Sequence, residues 1–249
     1  GVQLGELRLS IDIRAGISEW RAPRSGIEDL LRQADVALLQ AKEQGTVAVV
    51  YQPAHDAEHR RRVTLVAELR RALTGEGLSL HYQPLVNLTD RAPVSLEALI
   101  RWSHPTLGQI APMEFIPLAE RASVLPDLSR WVLNAAVAQL GSWQRAGLDC
   151  AVSVNLSAAD FADGGLPARV LALLREHEVP ATRLLLEVTE SAIMREPQLA
   201  AQIMQQLRTA GVRFAIDDFG TGQSSLAQLH ALPVDELKID RAFVMNLDR

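Results

Sequence analysis

Cysteine is scarce in this sequence, and its scarcity limits the compartments in which the protein is expected. Cys150 is the single cysteine among 249 residues, so the chain cannot form an internal disulfide. Proteins that fold without disulfides are typical of reducing compartments. We therefore expect a cytoplasmic protein, although segments upstream of residue 1 could tether a full-length form to a membrane.

Long apolar runs are also lacking. No run approaches the roughly 20 residues of a membrane-spanning helix, because Asn134 and Gln139 interrupt the apolar helical segment that contains them. Residues 1–16 alternate like a strand and lack the pattern of a signal peptide. We expect no membrane contact from this chain itself.

Positive charge is in deficit, which argues against nucleic acid polymers as partners. The sequence has 25 Lys and Arg against 30 Asp and Glu, for a net charge of −5. Binding to a phosphate backbone depends on an excess of Lys and Arg. The run Arg60-Arg61-Arg62 is explained more simply as the solvated face of a helix. A phosphate-containing ligand would therefore need metal ions or a few local basic residues.

The amino-terminal residues predict one small α/β unit. Hydrophobic residues make up 48% of the chain, as in an ordinary globular protein. Alternation over residues 5–16 predicts a strand with Leu7, Leu9, Ile11 and Ile13 on one face. The unit is too small to bury a core of its own. After this strand, the pattern predicts a helix over 27–44, a strand over 46–51 and a second helix over 56–73.

From residue 78 onward, short strand patterns alternate with amphipathic helices. Such alternation predicts an α/β fold with a mostly parallel sheet. The first two strands are joined by the short turn NLTDRA, so we expect them to form an antiparallel hairpin. The predicted strands are 78–87, 93–102, 150–157, 183–190, 212–219 and 236–240, and the predicted helices are 127–146, 167–177 and 197–210.

The two faces of these strands differ in polarity. In the segment CAVSVNLS, Val152 and Val154 lie on one face while Ser153 and Asn155 lie on the other. The same parity recurs in the other strands, whose polar side chains gather toward the carboxyl ends. The simplest geometry is a barrel with helices outside and polar groups at the carboxyl-terminal mouth, where (β/α)₈ barrels carry their sites.

This mouth would be crowded with carboxylates, which need a compensating cation. Oxygen ligands without cysteine suit a hard ion such as Mg²⁺ or Mn²⁺. Asp217 and Asp218 are adjacent, so both can reach the mouth only if their strand ends there, before the flexible turn Gly220-Thr221-Gly222. The residues expected at the mouth are Glu97, Asn155, Glu187, Asp217, Lys238 and Asp240.

Several ordered motifs resemble those of the EAL domain, a bacterial cyclic di-GMP phosphodiesterase. The signature is matched by EALIRW at 97–102. The resemblance covers about residues 60–249, and Asp160 stands where the family usually has Gln, a change expected to affect helix capping more than chemistry. The other matching motifs are YQP at 82–84, NLS at 155–157, LEVTES at 186–191, DDFGTG at 217–222, SSLAQL at 224–229 and LPVDELKIDRAFV at 232–244.

The resemblance implies a domain organisation. Residues 1–53 resemble the carboxyl-terminal fragment of a GGDEF (diguanylate cyclase) domain, but the GGDEF signature is not in the sequence, so cyclase activity is not assigned. Residues 54–74 would form a linking helix. Residues 75–249 would form the EAL domain, a (β/α)₈ TIM-like barrel whose first hairpin is antiparallel. About six of its eight strands are counted, so we expect a piece truncated at the carboxyl end.

The resemblance also implies site roles for hydrolysis of cyclic di-GMP to linear pGpG. Two Mg²⁺ or Mn²⁺ ions would assist the reaction. Lys238 would position the attacking water, and Glu190 would brace the loop after Asp217 and Asp218. Gln83, Leu99 and Arg101 would lie along the substrate, with Arg101 facing a phosphate. Glu97, Asn155, Glu187 and Asp217 would bind the first metal, and Asp217, Asp218 and Asp240 the second.

Two alternatives to the phosphodiesterase remain open. One is a catalytically inactive cyclic di-GMP receptor or regulatory module. The other ignores the resemblance and makes the chain a barrel aldolase with Lys238 as a Schiff-base amine. The surrounding acids oppose the aldolase because they would keep Lys238 protonated. The resemblance further implies a homodimer formed through the EAL domain.

Overall fold

The computed structural model describes residues 2–4, 7–9, 12–20, 26–220 and 232–245. The chain divides into two compact units, Gly1–Glu68 and Leu69–Arg249. The division falls within a helix. Elements of the first unit are β1 (Val2–Leu4), β2 (Leu7–Leu9), β3 (Ala15–Ile17), α1 (Ile27–Glu43), β4 (Ala48–Val50) and α2 (Pro53–Ala72), which continues into the second.

The single strand predicted over residues 5–16 is wrong. Within the described residues, β2 pairs antiparallel with β1, residues 12–14 are irregular, and β3 pairs in parallel with β4. Ile13 is 69% exposed rather than inward-facing, and Ile11 lies outside the described residues. Alternating hydrophobicity predicts extended backbone, but it does not indicate where a strand changes its pairing partner.

The second unit contains one sheet, ordered β11-β10-β9-β8-β6-β5, with β7 paired to β6. The β5–β6 pair is antiparallel, which confirms the predicted hairpin, and the pairs from β6–β8 to β10–β11 are parallel. The strands are β5 (Leu78–Val86), β6 (Pro93–His104), β7 (Gly108–Ile110), β8 (Val152–Leu156), β9 (Leu184–Thr189), β10 (Arg213–Phe219) and β11 (Glu236–Ile239).

Helices connect these strands, and four of the shorter ones escaped the sequence pattern. The helix α3 has Pro117 in its interior, a residue that normally signals a break, yet burial of Phe115 and Ala119 holds it in place. The helices are α3 (Pro112–Arg121), α4 (Leu125–Arg145), α5 (Ala158–Ala162), α6 (Leu166–Glu176), α7 (Glu190–Arg195), α8 (Pro197–Thr209) and α9 (Arg241–Val244), with a 3₁₀ turn at Ala181–Arg183. The unpredicted helices are α3, α5, α7 and α9.

The core of the second unit lies on the apolar face of the sheet. Val152, Val154, Leu186, Phe214 and Ile216 are all completely buried, as their parity predicts. Each such side chain contributes roughly 1.5–3 kcal/mol when it leaves water. Burial of this face fixes the strand register, because a slip of one residue would turn every polar side chain inward.

Strand register aligns the polar residues of neighbouring strands. Glu97 pairs with Ser153, which is two residues before Asn155, and Asn155 pairs directly with Glu187. Asp217 pairs with Thr189, two residues beyond Glu187. Each of these residues is therefore shifted by zero or two positions relative to the residue on the neighbouring strand. Because these shifts are even, the side chains stay on one face of the sheet while their positions advance toward the carboxyl ends of the strands. Such stepping is the stagger of tilted strands in barrel-like sheets.

Candidate active site

Lys238 lies at the centre of the polar face. Its Nζ donates to Glu187 Oε2 at 2.6 Å and to Glu97 Oε2 at 3.0 Å, and it lies 3.4 Å from Asp217 Oδ1. These four side chains come from β11, β9, β6 and β10. The structure therefore brings together residues from four strands that are separated by up to 141 positions in the sequence.

The side chains of Asn155 and Ser153 adjoin this cluster. The Asn155 side-chain amide donates to Glu97 Oε1 at 3.1 Å. Glu187 is completely buried. Its Oε1 and the buried Oγ of Ser153 both lack a hydrogen bond of good geometry among the described residues, although the nearby Ser153 hydroxyl lowers the pKa of Glu187. An unsatisfied buried acceptor costs about 1–3 kcal/mol, and more when charged. The site thus holds one buried carboxylate oxygen that is suited to a further cationic partner.

The protonation of Lys238 and Glu187 follows from their burial and their contact. Burial alone would lower the pKa of Lys238, but its hydrogen bonds and charge interactions with Glu187 and Glu97 outweigh burial and raise that pKa. Burial raises the pKa of Glu187, and the contact with Lys238 opposes this only in part. Lys238 is therefore a firmly protonated ammonium and acts as a donor rather than as a base.

The strand predicted over 212–219 is confirmed as β10, and it runs through Asp217 and Asp218 rather than ending at them. Strand β10 continues to Phe219, with a register irregularity between Ile216 and Phe219. Asp218 has a left-handed φ of +53°, a conformation that Asp tolerates better than most residues. A β-bulge re-aims side chains without ending the strand. Gly220 then turns the chain with φ +98°, while Thr221 and Gly222 lie outside the described residues.

The acids of the predicted second metal site lie close to one another. Burial raises the pKa of Asp218, and the charges of Asp217 and Asp240 raise it further. Asp240 Oδ1 accepts a hydrogen bond from the Ala242 backbone N–H at 2.7 Å, at the start of α9. Neighbouring carboxylates raise one another's pKa because each ionised group disfavours ionisation of the next. A divalent cation would relieve this repulsion.

A cavity of about 560 Å³ opens beside the cluster. Its lining includes Leu99 and Arg101 of the predicted substrate residues, together with Asn155, Asp217 and Asp218. The guanidinium of Arg101 donates to the Ile100 carbonyl at 2.8 Å. A cavity of this size accommodates a small organic ligand, and its lining includes both acids and the cation of Arg101.

Six predicted site residues lie outside this lining, namely Glu97, Glu187, Lys238, Asp240, Gln83 and Glu190. Gln83 pairs with Glu97 across the β5–β6 hairpin. Glu190 is buried at the start of α7, behind Thr189, whose hydroxyl accepts from the Ala192 N–H at 3.3 Å. Most of the loop that Glu190 was expected to brace lies outside the described residues, so that role stays a prediction.

Other residues of the cavity were missed from the sequence. Glu120 and Arg195 face each other at 3.9 Å and both line the cavity. Ser129 and Ser157 also line it, and both hydroxyls donate to the buried Asp160. Asp160 and Ser157 form a capping box on α5, which confirms the expected capping role. The spacing Ser-x-x-Asp predicts such a cap. The contact from Ser129 is not predictable from local spacing, because Ser129 lies on α4, 31 positions before Asp160.

The oxygen donors of the cluster are chemically suited to a hard divalent ion. Across residues 26–220 and 232–245, no group of three or more acids, His or Cys is already arranged to hold a metal. Lys238 Nζ contacts three carboxylates and takes the place between them. The unpartnered Oε1 of Glu187 and the all-oxygen donor set nevertheless fit a hard ion.

The comparison with protein families is decisive. The EAL domain model matches residues 66–249. The chain belongs to the EAL domain family. This EAL domain covers the whole of the second unit, including every strand of its sheet. Among the helices of the described residues, none is long and apolar enough to cross a membrane.

Several curated proteins from Pseudomonas aeruginosa are similar to the chain. One is the bifunctional diguanylate cyclase/cyclic di-GMP phosphodiesterase MucR, 40% identical over 244 residues, covering 97% of this chain and 35% of MucR. Another is the cyclic di-GMP phosphodiesterase NbdA, 39% identical over 234 residues, covering 93% of this chain and 30% of NbdA. The chain thus spans about a third of the length of these relatives.

Solved structures of EAL domains share the fold. The PaMucR phosphodiesterase in complex with c-di-GMP is 44% identical, with a TM-score of 0.71 and coverage of 75% of this chain and 76% of that one. The Xanthomonas citri FimX EAL domain in complex with c-diGMP is 29% identical, with a TM-score of 0.70 and coverage of 77% and 74%. Each similarity covers about three quarters of this chain.

Proposed function

We propose that this EAL domain hydrolyses cyclic di-GMP to linear pGpG in bacterial second-messenger signalling, with the help of two divalent cations. The observation that carries the proposal is the convergence of Glu97, Glu187 and Asp217 on Lys238 beside a 560 Å³ cavity. The names of MucR and NbdA, and the c-di-GMP complex of PaMucR, support the same substrate.

The oxygen donors divide between two cation positions. The first ion would take Asn155, Asp217, Glu97 and the buried Glu187, whose Oε1 lacks a partner among the described residues. The second would take Asp217, Asp218 and Asp240, whose mutual repulsion it would relieve. When bound, Mg²⁺ or Mn²⁺ would supply Lewis-acid polarisation of the phosphoryl group and a nucleophile at neutral pH.

Lys238 supplies a fixed positive charge and hydrogen-bond donors. Its ammonium is protonated because Glu187 and Glu97 raise its pKa. A donor held in a partly buried site stabilises negative charge that develops on phosphoryl oxygens, and it orients an attacking water. The protonated state also counts against the aldolase, since a Schiff base needs a neutral amine.

The cavity walls would hold and orient the nucleotide. Arg101 lines the cavity and is suited to pairing with a phosphate through parallel N–H groups. Leu99 offers an apolar surface to a base, and Gln83 would approach from the neighbouring strand β5. Glu190, buried at the start of α7, would hold the segment after Asp218 in place rather than contact substrate.

We further propose that residues 1–53 are the end of a GGDEF domain, joined by the helix 54–74 to an EAL barrel from residue 75. The match to MucR covers 97% of this chain and so extends beyond the EAL region. Homodimerisation and a cytoplasmic location also stay predictions.

The test is a hydrolysis assay of the protein with cyclic di-GMP in Mg²⁺ or Mn²⁺, with separation of pGpG from substrate. Release of pGpG that stops on addition of EDTA supports the proposal. Tight binding of cyclic di-GMP without turnover in either metal would instead indicate a receptor or regulatory module. If the protein neither hydrolysed nor bound cyclic di-GMP, the proposal would be contradicted.

A further inference from the structure

A buried carboxylate lies behind one wall of the cavity. Asp160 is only 5% exposed, and its Oδ2 accepts three hydrogen bonds. The donors are the Ser129 hydroxyl at 2.9 Å, the Ser157 hydroxyl at 2.6 Å and the Ser157 backbone N–H at 2.7 Å. Asp160 thereby links α4, through Ser129, to the turn that follows β8, through Ser157.

The hydroxyl hydrogens of both serines are committed to Asp160. A carboxylate only accepts hydrogen bonds, and each serine hydroxyl has a single hydrogen. Ser129 and Ser157 also line the cavity. Neither hydroxyl can therefore donate to a ligand there. Each keeps an oxygen lone pair as an acceptor, although Ser157 Oγ already accepts the Asp160 backbone N–H in the capping box. The nearby negative charge strengthens both as acceptors.

Apolar side chains form part of the cavity lining on the helices near this acceptor pair, although Arg101, Glu120 and Arg195 line the same cavity. Leu125, Leu128 and Val132 line the cavity from the same helix as Ser129, and Ile116 lines it from α3. A flat ring with hydrogen-bond donors along one edge matches an apolar wall that carries two acceptors. Guanine has this edge, with donors at N1 and N2, whereas adenine presents an acceptor at N1.

We propose that Ser129 and Ser157 select a guanine base and that Asp160 is the positioning residue that keeps both hydroxyls as acceptors. The inference rests on the proposed function, because guanine is the base of cyclic di-GMP. It adds a determinant of base specificity that lies apart from the cluster around Lys238. Asp160 acts through the two serines and does not touch the nucleotide.

The test compares binding of guanine and adenine cyclic dinucleotides. Bisphosphorothioate analogues of cyclic di-GMP and cyclic di-AMP, which resist hydrolysis, are titrated into the protein in MgCl₂. Ser129→Ala should lower the ratio of guanine to adenine affinity about tenfold, the effect of one lost hydrogen bond. Asp160→Asn should lower the ratio similarly, because its amide can donate to a serine and release that hydroxyl hydrogen toward the cavity.

Ser142→Ala is the matched control, since Ser142 is an exposed serine of the same helix, and it should leave the ratio unchanged. Thermal unfolding confirms that each variant folds. An unchanged ratio in both Ser129→Ala and Asp160→Asn would overturn the inference and leave Asp160 as a helix cap. Equal wild-type affinity for both analogues would also overturn it while leaving the phosphodiesterase intact. If the wild type bound neither analogue, the proposed function would fail as well.

Discussion

The ammonium of Lys238 lies 2.6 Å from the carboxylate of Glu187, which is completely buried in the sheet. The two residues are 51 positions apart in the sequence and come from β11 and β9. Lys238 neutralises a carboxylate that water cannot reach, and it does so where we propose that a metal ion binds. The Lys238 ammonium and a bound metal ion would therefore contact the same carboxylates.

Replacing Lys238 with methionine should separate these two contributions. Removal of one partner of a buried ion pair costs roughly 3–5 kcal/mol, because the other charge is left unpaired. We expect Lys238→Met to lower the free energy of unfolding by about 3 kcal/mol in EDTA. Mn²⁺ should restore more stability to the variant than it adds to the wild type. Urea unfolding with and without MnCl₂ measures both effects.

Arg208→Met is the control for Lys238→Met. Arg208 pairs with Asp235 at 3.3 Å on the surface of the same unit. Exposed ion pairs contribute at most about 1 kcal/mol, so this variant should unfold nearly as the wild type does and show no added response to Mn²⁺. Equal losses for the two variants would mean that Lys238 is not the counter-ion of the buried Glu187.

Glu97→Ala should remove most of the hydrolytic activity. Glu97 accepts hydrogen bonds from both Lys238 and Asn155, and it would also be a metal ligand. We expect turnover of cyclic di-GMP to fall more than about a hundredfold, since changes even around metal ligands cost 10- to 100-fold. Glu176→Ala, at the exposed end of α6, should keep wild-type turnover. Comparable rates for the two variants would refute the metal assignment.

Much of the sheet could be predicted because its determinants are local. The alternation Val152, Ser153, Val154, Asn155 fixes which side chains share a face, and the structure buries the two valines completely on one face and Ser153 on the other. The short turn between β5 and β6 likewise indicates their antiparallel pairing. Local signals of this kind survive because burial of the apolar face outweighs the other preferences of a strand.

Other features depend on contacts between distant segments and were not predictable. The bulge at Asp218 leaves no trace in the hydrophobic pattern, since it depends on how β10 meets β11. The hydrogen bond from Ser129 to Asp160 joins residues 31 positions apart. The place of Lys238 among three carboxylates also required the register of four strands, whereas sequence parity gave only the face on which each residue lies.

Tyr82 should titrate at unusually high pH. Burial raises its pKa to about 12 from an ordinary value of 10.0, and its ring packs edge-on against Trp143 at 4.7 Å. The chain has two tyrosines, so Tyr51→Phe isolates this one. Ultraviolet difference titration of that variant should give a midpoint well above 10 while the fold persists.

The same pKa shift has a consequence for stability. A phenol whose folded pKa is raised favours folding in its protonated form. The stability from Tyr82 is therefore fully present below pH 10 and lost as the pH rises toward 12. Tyr82→Phe, which cannot ionise, should flatten this part of the curve of unfolding free energy against pH. A midpoint near 10 in the single-tyrosine variant would contradict the burial of Tyr82.

Gly220→Ala should disturb the turn that follows the Asp217-Asp218 pair. Gly220 has φ +98°, and an added Cβ would lie 2.9 Å from the ring of Phe243. Strained backbone at such a position costs roughly 1–3 kcal/mol, and displacement of the ring adds a cost of similar size. We expect a loss of unfolding free energy together with reduced turnover, because the shifted turn moves both aspartates.

Gly147→Ala separates the backbone contribution from the contact with Phe243. Gly147 has φ +81° but no atom within 4 Å of the added Cβ, and it lies after α4. It should therefore lose stability through backbone strain alone and keep wild-type turnover. Unfolding curves and initial rates of pGpG release compare the two variants. If both lost the same stability and both kept full turnover, the packing of Phe243 against Gly220 would not be what positions Asp217 and Asp218.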